Sequence, residues 1–88
     1  MNIAVSGRLD TNTAPQLEAE LKTSLNGVSD LMIDFSELDY ISSAGLRVLL
    51  SAQKQMNAQK GNMAVTGANE IVKEIFEVTG FTDILTIL

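Results

Sequence analysis

The stretch DFSELDYISSAGLRVLL, residues 34–50, decides how the rest of the chain is read. It begins inside the apolar run Leu31-Met32-Ile33-Asp34-Phe35, which holds one carboxylate and is short enough for a central strand buried on both faces. It ends on Leu46, Leu49 and Leu50, which with Met56 keep helical spacing as far as Lys60-Gly61, a cation and a glycine suited to a helix C-terminus. A strand therefore gives way to a helix between Phe35 and Gly45. That connection reads as the longest irregular segment of distinctive composition, and function concentrates on such loops.

Near the N-terminus Ile3-Ala4-Val5 reads as a strand. A helix follows from Thr11 to Asn26, with Thr13 as N-cap, Pro15 in the first turn, Gln16 closing a capping box, and Leu17, Leu21 and Leu25 as the buried stripe. After the central helix, Met63-Ala64-Val65 is a third strand, and Asn69 caps a third helix whose buried stripe is Ile71, Ile75 and Val78. Gly80 ends that helix, Phe81 packs back on it, and Ile84 to Leu88 supplies a last strand. The order β-α-β-α-β-α-β predicts a single α/β domain over residues 1–88, with a small, mainly parallel sheet of four strands covered by helices.

Composition excludes several kinds of chemistry. The 88 residues contain no Cys and no His, so thiolate nucleophiles, imidazole bases and the usual zinc sites are out of reach within one chain. Six Lys and Arg stand against eleven Asp and Glu, for a net charge of -5, and the cations are scattered, which leaves no footprint for nucleic acid. No apolar run approaches the ~20 residues of a membrane span, and MNIAVSGRLD lacks the basic and apolar regions of a signal peptide. The expectation is a cytoplasmic, non-enzymatic domain without metal or cofactor that works through a surface.

Ser42 and Ser43 stand where strand and bend give way to the central helix. A serine there can serve only as N-cap, in which case its replacement by Ala costs about 1 kcal/mol. Alternatively one hydroxyl accepts a phosphoryl group, which the positive end of the helix dipole would tolerate and which would add about -1.5 to -2 charges.

Residues 34–50 resemble the central motif of the STAS family of anti-sigma-factor antagonists. Gly7-Arg8-Leu9-Asp10 with Thr13-Ala14-Pro15 is similar to the family's opening strand and helix start, and Ile75-Phe76-Glu77-Val78-Thr79-Gly80-Phe81 to its third helix ending. The resemblance implies a STAS fold with three or four helices, in which the chain begins at the family's second strand. The edge near Ile3 to Val5 then lacks the family's N-terminal strand, so the sheet is smaller or the edge is covered by a partner or a second copy. The resemblance also implies partner switching. The unphosphorylated antagonist binds an anti-sigma factor that is also a Ser/Thr kinase, the sigma factor is released, phosphorylation breaks the complex, and a phosphatase restores it.

The family's acceptor, two residues before the motif glycine, falls on Ser43, with Ser42 as the alternative. Many members carry Asp before the acceptor and Ser or Thr after it; this chain carries Ser42 and Ala44. The implied partner surface comprises Arg8, Asp10, Asn12, Ser42, Ser43, Ala44, Gly45 and Arg47, on a monomer or weak homodimer. Arg47, one turn into the helix, is a candidate for partner contact or for pairing with the phosphate. Asp10 and Asp34, read from the residues alone, are caps and turn formers. The competing reading is a STAS scaffold or small-ligand module that is never phosphorylated.

Overall fold

The computed structural model describes residues 1–88. In chain order they form β1 (Asn2–Leu9), α1 (Ala14–Ser24), β2 (Asp30–Ile41), α2 (Ser43–Ala58), β3 (Asn62–Thr66), α3 (Glu70–Val78), a 3₁₀ turn (Phe81–Asp83) and β4 (Thr86–Ile87). The strands make one sheet in the order β1-β2-β3-β4, and every neighbouring pair is parallel. Each crossover steps to the next position in the same direction. Since such crossovers are right-handed, all the helices come to one face of the sheet.

Burial along the strands follows that one-sided cover. Leu31, Ile33, Phe35, Met63 and Val65 are buried beneath the helices, whereas Met32, Asp34, Ala64 and Thr66, which alternate with them, are only half-buried. The central strand is thus covered on one face and not on both, and this is why it tolerates Asp34. β1 has β2 as its only neighbour and forms an edge of the sheet. No helix is long and apolar enough to cross a membrane.

The helices pack as their stripes direct, with one exception. Leu17 and Leu21 of α1, with Leu25 at its C-cap, are buried, as are Leu46, Leu49 and Met56 of α2. In α3 only part of the expected stripe of Ile71, Ile75 and Val78 faces inward: Ile71 is 57% and Val78 77% exposed, Ile75 is half-buried against the core, and Val72 and Phe76 are the fully buried residues. Two apolar stripes lie side by side on this helix, and periodicity alone cannot choose between them. Long-range contacts do: Phe76 stacks on Phe35 with ring centroids 6.4 Å apart. At the helix start Asn69 accepts a hydrogen bond from Val72 N at 2.8 Å and donates one to the carbonyl of Leu38 at 3.0 Å. The cap expected at Asn69 thus also sets the rotation of the helix.

Other local expectations are altered by tertiary partners. Thr13 is the N-cap of α1, yet its side chain makes no capping bond. Its hydroxyl donates instead to Arg8 O at 2.7 Å and accepts from Asp10 N at 2.9 Å, so no capping box forms with Gln16. After α2 the left-handed residue is Lys60 (φ 59), not Gly61. Gly61 is required for close approach, since a Cβ there would meet Ser29 O at 2.7 Å.

The segment read as an irregular connection is largely strand. β2 runs to Ile41, and its pairing with β1 shifts register between Ala4 and Ser6 and again between Gly7 and Arg8. Each shift places an extra residue on β2. Phe35, Leu38 and Ile41 therefore all reach the core at a spacing of three, which erases the alternation that identifies a strand. Asp34 Oδ1 accepts from Ser36 N at 2.9 Å at the first bulge, and this hydrogen bond holds its carboxyl below the usual carboxylate range. Asp34 is the turn former expected of it.

Candidate functional site

The C-terminal ends of β1 and β2 meet the start of α2. Leu9 O accepts a hydrogen bond from Ser42 N at 2.8 Å, which fixes the β1–α1 turn against the serine pair. Gly45 permits the approach: a Cβ on it would lie 2.7 Å from Ile41 Cγ1 and 2.9 Å from Leu9 O. This is close packing of a helix on two strand ends, and only a glycine fits it.

At this junction the two serines have different surroundings. Ser42 is the N-cap, in extended conformation (φ -98, ψ 176), but its side chain accepts no capping bond. Its Oγ is buried and has no hydrogen-bond partner. Ser43 is the first residue of α2 and is exposed. The first bond of the helix runs from Leu46 N to Ser42 O at 3.0 Å, which leaves the N–H groups of Ser43, Ala44 and Gly45 without backbone acceptors. An anion on the Ser43 hydroxyl would sit beside those donors and the positive end of the dipole.

Since the Ser42 hydroxyl caps nothing, Ser42→Ala is expected to change stability by less than about 0.5 kcal/mol or to raise it, in place of the ~1 kcal/mol loss of a working cap. Urea unfolding of the two proteins measures this; a loss of 1 kcal/mol or more would establish a capping bond.

Arg8, Asp10 and Asn12 border the same junction. Asp10 Oδ1 accepts from Asn12 N at 3.0 Å and from Thr13 N at 3.2 Å, and the first of these bonds is the chief reason its carboxyl titrates below the usual range. Asp10 is therefore occupied by its own turn. Arg8 Nε lies 3.7 Å from Asp10 Oδ2, and the guanidinium stands 4.6 Å over the ring of Tyr40. Tyr40 belongs to this surface as the platform for Arg8. The sequence does not single it out, because the pairing of Arg8 with Tyr40 depends on both bulges in β2. Ala44 is half-buried and Gly45 buried, so they shape the junction more than they face solvent. Arg47 is exposed one turn further along α2.

Two hollows open on the surface, and the second reaches the junction at Arg8, Leu9 and Thr13. One of about 590 Å³ includes Met1, Asp30, Gln53, Asn57 and Asn62, and one of about 460 Å³ runs between β1 and α1 past Ile3, Val5, Gln16 and Glu20. Neither includes Ser43.

Known proteins resemble this chain in sequence and in fold. The family model for the Mlab/STAS domain matches residues 1–87. BtrV of Bordetella bronchiseptica, named as an anti-sigma factor antagonist, is 38% identical over 84 residues, covering 94% of this chain and 72% of that protein. The anti-sigma-B factor antagonist of Listeria monocytogenes is 31% identical over 88 residues, covering 99% of this chain and 77% of that one. SpoIIAA, the Bacillus cell fate determinant, superposes with a TM-score of 0.77 in its unphosphorylated form and 0.76 in its phosphorylated form, at 19% and 20% identity. Each superposition covers 99% of this chain and, respectively, 76% and 80% of the other. At that identity the likeness is one of fold.

Proposed function

Because the chain belongs to the STAS domain family and, within it, to the anti-sigma factor antagonists, we propose that it acts by partner switching controlled at Ser43. Unphosphorylated, it docks through the β1–α1 turn, the end of β2 and the first turn of α2 on an anti-sigma factor, and so frees the sigma factor. The anti-sigma factor is also a Ser/Thr kinase. Ser43 Oγ forms a bond to the γ-phosphorus of ATP, the bond from that phosphorus to the β–γ bridging oxygen breaks, ADP leaves, and a base of the kinase takes the hydroxyl proton. The phosphoserine brings about -1.5 to -2 charges to the docked surface, where it faces the anionic products of its own transfer, and the complex separates. A phosphatase hydrolyses the ester and resets the chain.

One observation carries the choice of Ser43. Its hydroxyl is exposed on the first turn of a helix anchored to two strand ends, whereas the neighbouring Ser42 Oγ is buried and out of a kinase's reach. The unpaired N–H groups of that turn support the same choice, because they accommodate the product anion without rearrangement.

The test is incubation of the purified chain with its anti-sigma partner and ATP, followed by phosphopeptide mapping. One phosphate on Ser43 is the expected result. Phosphate on Ser42 alone, on another residue, or on none overturns the proposal.

A further inference from the structure

Resting on Ser43 as the acceptor, we propose that Arg47 is the internal counter-ion of the phosphorylated site. Its guanidinium pairs with the phosphate on Ser43, and phosphorylation thereby removes from the docking face the unpaired cation beside the acceptor.

Ser43 and Arg47 are spaced i,i+4 on α2 and are both exposed, so their side chains stand one above the other on the same solvent face. Long side chains in a helix lean back toward its N-terminus, which directs the arginine onto the turn that holds Ser43. An anion N-terminal to a cation is also the more favourable order for such a pair. The planar guanidinium can meet two phosphate oxygens at once, which lysine cannot do.

Arg47 is free to take this role. The ion pairs of the chain are Arg8 with Asp10 and Glu18 with Lys22, and Arg47 belongs to neither. Among the charged groups on the neighbouring elements, Asp10 is held by Asn12, Thr13 and Arg8, and Glu18 by Lys22. Glu20 of α1 and Asp39 of β2 are exposed and form no ion pair with it. Before phosphorylation the docking face thus presents an unpaired guanidinium. Afterwards it presents an anion whose balancing cation is already taken, so one modification both adds a charge and withdraws its opposite.

The experiment uses the full chain with phosphoserine placed at position 43 by genetic encoding, so that no kinase is needed, and follows the second ionisation of the phosphate by ³¹P NMR. The midpoint is expected about 0.3 pH unit lower in the native background than with Arg47→Gln, a difference of the size an exposed i,i+4 pair produces. Lys54→Gln is the control: Lys54 is on the same helix but roughly 16 Å along it, beyond the ~8 Å screening length, and should leave the midpoint unchanged. Equal midpoints in the native and Arg47→Gln proteins overturn the proposal, as does an equal shift from Lys54→Gln. A kinase that ignores Ser43 would overturn the partner-switching reading and leave this measurement intact.

Discussion

Ser43→Glu is expected to lower affinity for the anti-sigma partner by about 30- to 100-fold, whereas Ser43→Ala stays within about threefold of the native protein. The glutamate puts one fixed negative charge where the phosphate would stand, and bringing like charges together in a desolvated contact costs several kcal/mol. The same charge lies at the N-terminus of α2, beside three unpaired N–H groups, where it favours the fold by about 0.3–1 kcal/mol. The variant should therefore bind worse while melting at the same or a slightly higher temperature, and that separation excludes misfolding as the cause. Calorimetric titration against the partner together with a thermal melt reads both quantities. A glutamate variant that binds like the native protein would show that charge at this position is not the switch.

Gly45→Ala is expected to destabilise the domain by about 2 kcal/mol. The added methyl would lie 2.7 Å from Ile41 Cγ1, 2.9 Å from Leu9 Cγ and 2.9 Å from Leu9 O, and the last of these is backbone that already holds Ser42 N. Such overpacking typically costs about 1–3 kcal/mol. The better helix propensity of alanine returns up to about 1 kcal/mol, too little to reverse the sign. For a domain of this size the melting temperature should fall by roughly 10 °C, and the urea midpoint should fall at constant slope. Unchanged or increased stability would show that the β1–α2 junction can open without cost. The consequence for function is direct, because the Leu9–Ser42 bond that this methyl would strain is what holds the serine pair against the β1–α1 turn.

Most of what positions the site was legible in local signals. The switch to helical spacing near Gly45 located the start of α2, although not the end of β2 at Ile41, and the four-residue repeat of Leu17, Leu21 and Leu25 gave the buried side of α1. Asn69 was readable as a cap because its side chain acts within its own first turn. Where partners distant in sequence compete with local ones, the reading changed. Thr13 abandons its capping box for the Arg8 carbonyl and the Asp10 amide, and α3 turns its Ile71 side outward because Phe76 finds Phe35.

Residue order alone carries the succession of elements, the parallel sheet that such an order requires, the helix start at the serine pair and the lack of thiol and imidazole side chains. These follow from residue type and short-range periodicity, which every conformation of the chain carries with it. The tertiary structure alone decided that the sheet is covered on one face, that β2 continues through two bulges to Ile41, and that Arg8 comes to lie over Tyr40. It also decided which serine is offered to solvent: Ser42 and Ser43 are chemically identical neighbours, and only the packing of α2 against β1 and β2 buries one hydroxyl and exposes the other. Accessibility is a property of the assembled surface, so the burial of one hydroxyl and the exposure of the other could not be read from residue type alone.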